Sequence, residues 1–341
     1  MGRIITFGEI MLRLSPPGYN RFFQNDQFQA TFGGAEANVA VSLANFGENV
    51  SFVSKVPSHA IGQGAIDSLR YFGVDTNYIS RGGERLGIYY LEKGANQRGS
   101  VCIYDRTNSS IQNSSTEDFK WDEIFKDAEW FHFTGITPAL GDNLVEVLKL
   151  ALSYAHKMGI TVSCDLNYRG KLWSKEKANK VMSELCRFVD ICIANEEDAK
   201  DVFGIEAPDT DIYSGKLSED GYKIVAAELE KRFGFNKVAI TLRESHSATV
   251  NDWSAMLFDG SDYYKSKTYH FDAIVDRVGG GDSFGAGLIY ALKNNYEGQK
   301  SIEFAVAASA LKHSIEGDFN RISLLEIEKL IGGDGSGRVQ R

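Results

Sequence analysis

The chain has 341 residues with 46 acidic and 37 basic side chains, a formal net charge of −9 and a hydrophobic content of 43%. No basic stripe is present to neutralise phosphates, and no apolar run approaches the roughly 20 residues that span a bilayer, which argues against nucleic-acid and membrane partners. The N-terminus lacks a signal-peptide pattern and the four cysteines lack metal-site spacing, so we expect a cytoplasmic protein with reduced thiols.

Apolar runs predict strands that alternate with helices. Several runs lack polar alternation, which is typical of strands buried on both faces. In chain order they are RIITFGEI (3–10), VSFVSKV (50–56), WFHFTGI (130–136), ITVSCDL (160–166), DICIANE (190–196) and KVAITLRES (237–245). Between them, apolar residues at three-to-four spacing predict helices, two of which stop at Gly159 and Gly234. This pattern predicts an α/β fold with a mostly parallel sheet and helices on both faces.

Two segments interrupt this rhythm. Residues 11–32 are rich in turn-forming and then aromatic residues, and residues 84–106 suggest two strands joined by a glycine-containing turn. We predict that they form a small antiparallel β lid on a single domain at 1–331, followed by a flexible glycine-rich tail at 332–341. The lid aromatics also suit a subunit contact, so we expect a homo-oligomer that forms through the lid.

The stretch VGGGDSFGAG (278–287) is the first candidate for chemistry. If a helix begins near Asp282, the amides of Gly279, Gly280 and Gly281 form an anion site at its N-terminus. Asp282 could then accept a proton from a hydroxyl that attacks a phosphoryl group. The alternative is a glycine-rich turn in which Asp282 is only a helix N-cap.

The stretch TFGGAEANVAVSLANFG (31–47) is the second candidate. Gly33 and Gly34 permit close approach of a ligand to the backbone, and Asn38 could reach a sugar hydroxyl from the first helical turn. The alternative is a turn that opens a helix, with Asn38 as a cap. The common phosphate fingerprints G-x-x-x-x-G-K-[ST] and G-x-G-x-x-G are absent from the sequence.

Together the two stretches resemble the signatures of the PfkB (ribokinase-like) carbohydrate kinase family, over nearly the whole chain. The matching residues are Gly33, Gly34, Asn38 and Gly47 for the N-terminal signature, and Asp276, Gly279, Gly280, Gly281, Asp282, Ala286 and Gly287 for the C-terminal one. Two residues depart from the usual pattern, namely Glu36 and Arg277, and the sequence suggests no physical role for Arg277. The resemblance implies a ribokinase-like three-layer sandwich, ATP and Mg²⁺ as cofactors, Asp282 as general base and the Gly279–Asp282 backbone as anion hole.

Within the family, GGAEANVA, DLNYRGKLW and VDRVGGGDSF are similar to kinases of 2-keto-3-deoxygluconate (2-dehydro-3-deoxygluconate), a six-carbon sugar acid. The resemblance then implies a substrate site of Gly33, Gly34, Asn38, Tyr89, Tyr104, Arg106, Ile136, Arg169 and Asp318. Arginine offers a bidentate fork to a carboxylate, so Arg106 and Arg169 are assigned to the acid group, the alternative for each being an exposed surface arginine. Alternation directs Tyr89 and Tyr90 to opposite faces of the lid, and the resemblance favours Tyr89.

The resemblance implies a nucleotide site as well. Its residues are Asn167, Asn195, Thr241, Arg243, Gly279, Gly281 and Lys312, the last beside the expected adenine pocket. Arg243 could instead pair with a surface acid. In NEED (195–198) the family's Asn-x-x-Glu becomes Asn-x-x-Asp, so Asp198 is given an indirect magnesium role with Glu197 as its substitute.

The expected activity is ATP-dependent phosphorylation of 2-keto-3-deoxygluconate to its 6-phospho form. Three alternatives stay open. They are a PfkB kinase for another sugar such as fructose, a catalytically silent sugar-binding regulator, and an interaction protein that uses the lid as a sheet edge.

Overall fold

A computed structural model of the protein describes residues 2–208 and 218–333. The predicted tail at 332–341 lies outside these residues from residue 334 onward. The strands are β1 (Arg3–Phe7), β2 (Met11–Ser15), β3 (Gln29–Gly33), β4 (Val50–Val56), β5 (Ile79–Arg81), β6 (Gly87–Glu92), β7 (Val101–Asp105), β8 (Ala128–Thr134), β9 (Thr161–Asp165), β10 (Ile191–Ala194), β11 (Lys237–Ser245), β12 (Asn251–Phe258), β13 (Tyr263–Lys265) and β14 (Tyr269–Phe271). The helices are α1 (Ala35–Asn45), α2 (Ala60–Arg70), α3 (Trp121–Ile124), α4 (Ile136–Ala139), α5 (Asp142–Met158), α6 (Lys175–Leu185), α7 (Asp198–Phe203), α8 (Glu219–Phe233), α9 (Gly280–Lys293), α10 (Gly298–Lys312) and α11 (Leu324–Ile331).

The large sheet has the strand order β13-β12-β11-β10-β9-β8-β1-β4-β5, with β14 also paired to β12. Its strands are parallel from β11 to β5, and β12 pairs antiparallel with β11, β13 and β14. Successive residues of one strand enter different apolar clusters: in β10, Cys192 belongs to one and Ile193 to the other. The sheet is therefore covered by helices on both faces, and the predicted three-layer α/β fold is confirmed.

The long helices end where the glycine signals predicted. Gly159 follows α5 with φ 68°, and Gly234 follows α8 with φ 76°. Both values lie in the left-handed region that glycine adopts without steric cost, which ends a helix and returns the chain towards the sheet. No helix within the described ranges is both long and apolar enough to cross a bilayer.

The predicted lid forms a separate four-stranded sheet in the order β3-β2-β6-β7. Two antiparallel pairs, β2–β3 and β6–β7, are joined by a parallel pairing of β2 with β6. The parallel pairing in the centre was not predicted. Parallel neighbours need a long connection, because the chain must return to the end of the sheet at which the first strand began. The segment between β2 and β6, which includes α1, β4 and α2, is long enough to do so.

A buried arginine anchors the lid to the body. Arg13 of β2 donates from Nη1 to Asp318 Oδ1 at 2.8 Å and from Nη2 to Asp276 Oδ2 at 2.6 Å. The Tyr89 hydroxyl of β6 donates to the same Asp318 carboxylate at 2.6 Å. Removing one partner of a buried ion pair costs about 3–5 kcal/mol, so this contact fixes the central lid strands over the carboxyl ends of the main sheet.

Candidate active site

A cavity of about 620 Å³ lies between the lid and the carboxyl ends of the parallel strands. Open α/β sheets bind ligands at this edge, because loops from several strands converge there. Fifteen predicted site residues line it: Gly34, Asn38, Tyr89, Tyr104, Arg106, Ile136, Asn167, Arg169, Asn195, Thr241, Arg243, Gly279, Gly281, Asp282 and Asp318. The predicted sugar and nucleotide residues therefore share one cavity.

The glycine turn has the geometry of an anion site. Gly279 has φ 82°, and a Cβ at this position would lie 2.3 Å from the Asp318 carbonyl oxygen, so only glycine fits. Helix α9 then begins at Gly280. The amides of Gly281 and Asp282 lie in its first turn, where N–H groups have no intrahelical acceptor, and no acceptor within the described residues bonds them. Exposed amides and the helix dipole favour an anion here.

Asp282 is the third residue of α9 rather than its N-cap, which corrects the capped-turn alternative. Its Oδ2 accepts a hydrogen bond of 2.6 Å from Asn38 Nδ2. Burial raises the pKa of Asp282 to about 6, although the bond from Asn38 and the positive charge of Arg169 oppose that rise. The carboxylate is therefore ionised near neutral pH yet basic enough to accept a proton.

Asn38 belongs to the first turn of α1 and bonds in two directions. Its Oδ1 accepts from the Gly34 amide at 3.3 Å, while its Nδ2 donates to Asp282. The capping alternative is therefore partly right, since the side chain bonds the start of its own helix. The same side chain also orients Asp282, a contact that sequence patterns gave no means to predict.

The two predicted carboxylate-binding arginines differ in their surroundings. Arg106 donates from Nε to Glu9 Oε2 at 2.8 Å, and Ser109 donates to the other Glu9 oxygen at 2.7 Å, so the charge of Arg106 is already neutralised. Arg169 donates from Nη1 to the Tyr168 carbonyl at 2.9 Å. Within the described residues, no carboxylate lies within 4.0 Å of Arg169. Arg169 is therefore the more available partner for an acidic ligand.

The lid supplies aromatic rings to the cavity. Tyr89 is buried, and its ring centroid lies 5.9 Å from that of Tyr104 on the paired strand. Tyr90 points to the other face and contacts Phe28. The two tyrosines therefore lie on opposite faces of the lid, as the alternation predicts, and Tyr89 is the one that lines the cavity.

Five predicted site residues lie outside the cavity lining. Gly33 packs against the Asp318 side chain, and Gly280 against the His313 ring. The Lys312 side chain is fully buried beneath Gly279 and donates to the Ile315 carbonyl at 3.0 Å.

The two predicted metal residues, Glu197 and Asp198, also lie outside the cavity lining. Glu197 is exposed and does not line the cavity, whereas its neighbour Glu196 does. Asp198 is buried and accepts from the amides of Asn195 at 2.9 Å and Tyr168 at 3.0 Å, so it holds two strand ends together. The NEED motif placed the acids in the right loop, but sequence does not show which consecutive side chain points inward.

Sequence reasoning assigned no role to Asp165 and Glu196, which are among the acids of the cavity wall. Burial raises the pKa of Asp165, and the Asp198 and Asp282 carboxylates raise it further. Burial also raises the pKa of Glu196, which lies 3.6 Å from Arg243. The signal for Asp165 was its place at the end of β9, two residues before Asn167. Asn167 itself has φ 40°, a left-handed conformation often kept at functional sites.

Arg277 also lines the cavity, beside the glycine turn. Its Nη2 donates to Asn251 Oδ1 at 3.0 Å. Burial lowers the pKa of Arg277, and repulsion from Arg243 adds to this effect. Two neighbouring guanidinium groups, those of Arg243 and Arg277, therefore face the same end of the cavity. Together they make the electrostatic potential at that end positive, a property of Arg277 that the sequence did not suggest.

Glu36, the other departure from the family pattern, joins α1 to β8. Its Oε1 accepts from the Thr134 amide at 3.0 Å and from the hydroxyls of Thr134 and Thr137 at 2.8 Å each. Burial raises the pKa of Glu36 to about 7 despite these bonds. The side chain therefore exchanges its proton close to neutral pH.

Glu36→Ala is expected to lower the free energy of unfolding by about 3 kcal/mol, because it leaves three buried donors without an acceptor. Glu36→Gln keeps an acceptor and serves as the matched control. Because the pKa of Glu36 is raised in the folded protein, ionisation of its side chain lowers the stability of the wild type as the pH rises through 7. Gln does not ionise. The stability of Glu36→Gln relative to wild type should therefore increase between pH 6 and pH 8. Urea denaturation at both pH values measures this, and an Ala variant as stable as the Gln variant would contradict it.

Comparison with known proteins supports one family. A sequence profile of the pfkB family carbohydrate kinases matches residues 1–320. The 2-dehydro-3-deoxygalactonokinase of Haloferax volcanii is 31% identical over 336 residues, 98% of each chain. The 2-dehydro-3-deoxygluconokinase of Bacillus subtilis is 26% identical, over 94% of this chain and 93% of that one. The crystal structure of 2-dehydro-3-deoxygluconokinase from Thermotoga maritima is 51% identical, with a TM-score of 0.94 over 98% of this chain and 100% of that one.

Proposed function

Because the chain belongs to the pfkB family of carbohydrate kinases, we propose that it phosphorylates the sugar acid 2-keto-3-deoxygluconate at its 6-position, using ATP. The observation that carries this proposal is Asp282 beside the unbonded amides of α9, in a cavity that also contains Arg169. A base, an anion site and a cation that suits a carboxylate are what phosphoryl transfer to a sugar acid requires. The 51% identity to the Thermotoga maritima protein supports the gluconate-derived acid.

In the proposed reaction, Asp282 accepts the proton of the sugar hydroxyl as that oxygen attacks the γ-phosphorus of ATP. The bond between the γ-phosphorus and the β,γ-bridging oxygen breaks, and ADP leaves. The amides of Gly281 and Asp282 stabilise the charge that develops on the transferred group. Asn38 keeps the Asp282 carboxylate directed at the hydroxyl through its 2.6 Å bond. The lid excludes water, which would otherwise be phosphorylated in place of the sugar.

Arg169 is proposed to bind the sugar-acid carboxylate, with Arg106 and its partner Glu9 completing the polar wall. Tyr89 and Tyr104 pack against the sugar carbons from the lid side. Asp318 lies between the lid and the glycine turn, where it accepts from Arg13 and Tyr89.

The opposite end of the cavity suits the nucleotide. Arg243 and Arg277 offer two positive charges to its phosphates, near Thr241 and Asn195. The acids Asp165 and Glu196 have raised pKa values because they are crowded and buried, and a hard divalent cation with oxygen ligands fits such a group. These acids and Asn195 would hold Mg²⁺, whose chemistry is to neutralise phosphate charge. Asp198 acts indirectly by fixing the Asn195 backbone.

A panel of acceptors with coupled detection of ADP tests the proposal. We expect the highest kcat/KM with 2-keto-3-deoxygluconate, a lower value with its galactonate-derived epimer and the lowest with fructose. The epimer is the main rival because the Haloferax volcanii relative carries the galactono name. ADP release that no acceptor stimulates would favour the silent regulator and contradict the proposal.

The value of kcat/KM should fall about tenfold for each pH unit below the pKa of Asp282, which is about 6. The sign follows from the base role: only the ionised carboxylate accepts a proton, and protonation below pH 6 removes it. Asn38→Ala should move this limb to higher pH, because the bond from Asn38 lowers the pKa of Asp282. The ionisation of ATP is the same in assays of wild type and of Asn38→Ala. If kcat/KM decreases over the same acidic pH range in both enzymes, Asp282 is not the group that causes the decrease.

We also propose that the protein forms homo-oligomers through the lid. Strand β7 is at one edge of the lid sheet, and its Val101 and Ile103 side chains are 39% and 50% exposed. An open edge with exposed apolar residues favours pairing with a second chain. Light scattering should give a multiple of the single-chain mass for wild type and a single chain for Ile103→Lys. Tyr71→Lys, at an exposed apolar residue outside the lid, is the control and should leave the mass unchanged.

A further inference from the structure

Three strands at one edge of the large sheet align titratable side chains in a row. Glu244 of β11 is paired with Asp252 of β12, and Asp252 with His270 of β14. Successive side chains alternate between the two faces of a strand. Because the preceding Arg243 lines the cavity, this row lies on the other face, away from the active site.

The row is already assembled around one carboxylate. His246, just beyond β11, lies with Nε2 2.7 Å from Asp252 Oδ2, and His270 Nδ1 lies 2.5 Å from Asp252 Oδ1. His270 is held in turn through Nε2 by Asp272 at 3.1 Å. The hairpin loop is fixed by a bond of 3.0 Å from the His246 amide to the Val250 carbonyl.

Glu244 and Asp252 are like charges directly opposite each other on neighbouring strands, an arrangement that destabilises a sheet. Within residues 2–208 and 218–333, no cationic side chain lies within 4.0 Å of Glu244. Lys265 borders the same hollow but is paired with Glu219 at 2.8 Å. A positive charge between the two carboxylates would remove the repulsion.

We infer that Glu244, His246 and Asp252 form a binding site for a divalent first-row transition metal such as Zn²⁺. One ligand atom from each residue lies within 4.8 Å of the others. Ligands of tetrahedral zinc lie about 3.3 Å apart, given bond lengths near 2.0–2.2 Å. The His246 side chain is 48% exposed, which leaves it room for this adjustment. An imidazole with carboxylates suits Zn²⁺ better than Mg²⁺ or Ca²⁺, and His270 orients Asp252 as metal-supporting groups do.

Titration calorimetry of the full chain, stripped with a chelator and carrying no histidine tag, tests the site with Zn²⁺ alone at pH 7.5 in 5 mM Mg²⁺. We expect one equivalent to bind to wild type and His246→Gln to weaken that binding at least tenfold. His156→Gln, at an exposed histidine elsewhere, should match wild type. Zn²⁺ should also raise the melting temperature of wild type but not of His246→Gln, because a ligand stabilises only the state that binds it.

Equal affinity in wild type and His246→Gln would overturn the inference, since zinc would then be bound elsewhere, for example by the cavity carboxylates. Absence of binding to wild type would overturn it too. Asp252→Asn provides a second variant, at a side chain that is 25% exposed, and should show the same loss. The result does not depend on the proposed function, because the readout is metal binding and not phosphorylation.

Discussion

Replacement of Asp282 by Asn is expected to lower kcat by about 10³-fold, within the range that general-base catalysis contributes. The amide has nearly the same shape and can still bond to Asn38, but it cannot accept the hydroxyl proton. The affinity for the sugar acid should change little, because the proposed ligand of its carboxylate is Arg169. Steady-state kinetics with ADP detection measures kcat, and calorimetry with the sugar acid measures the dissociation constant.

The same variant should be more stable than wild type at pH 8. Folding raises the pKa of Asp282 from 3.8 to about 6. The wild type therefore loses stability as the pH rises from 3.8 to about 6, and the loss is complete above pH 6. Below pH 3.8 the carboxyl group is protonated in both the folded and the unfolded state, and its ionisation has no effect. A pKa shift of one unit corresponds to about 1.4 kcal/mol in the free energy of unfolding. Because Asp282 has partial contact with solvent, we expect the Asn variant to be more stable by about 2 kcal/mol. Asp262→Asn, at an exposed surface acid, is the control for both measurements. A decrease in kcat of less than tenfold would contradict the base role. A decrease in kcat that is accompanied by a lower free energy of unfolding would indicate misfolding.

Replacement of Arg169 by Ala should lower kcat/KM for the sugar acid by roughly 10²–10³-fold, since charge-assisted hydrogen bonds contribute about 1.5–3 kcal/mol each. The loss should be several-fold at most for fructose, which has no carboxylate. Arg169→Lys keeps the charge but not the planar fork, so we expect an intermediate value. The comparison is made at pH 8, because Arg169 also lowers the pKa of Asp282.

Arg187→Ala, at an exposed arginine outside the cavity, is the control for this series. Arg106→Ala is a harsher change, because it leaves the buried Glu9 carboxylate without its ion partner. We therefore expect Arg106→Ala to reduce stability as well as activity. Equal losses for sugar acid and fructose in Arg169→Ala would show that this residue does not recognise the carboxylate.

Much of the fold could be predicted because its signals are local. The core strands are apolar without alternation, and glycines mark the ends of α5 and α8. The same signals put Asn167 and Asn195 at the ends of β9 and β10, and both residues line the cavity. Periodicity within a segment and turn chemistry suffice for these features.

The remaining features depend on contacts that no local pattern encodes. The direction of a side chain in an irregular loop is set by backbone angles, so Glu196 rather than Glu197 faces the cavity. Lys312 is buried because α10 packs beneath the glycine turn, a contact that its place near a helix end does not reveal. The parallel pairing of β2 with β6 joins strands far apart in the chain, and register between such strands is fixed by tertiary packing.

The contact between Asn38 and Asp282 spans 244 positions of the chain, and that between Arg13 and Asp318 spans 305. A chain that is being synthesised presents its N-terminal half first. Helix α1 and the lid strands therefore leave the ribosome well before the glycine turn and the two acids that anchor Arg13. A nascent or truncated chain holds neither the proposed base, Asp282, nor its partner Asn38 in place. We therefore expect phosphoryl transfer to begin only after synthesis is almost complete.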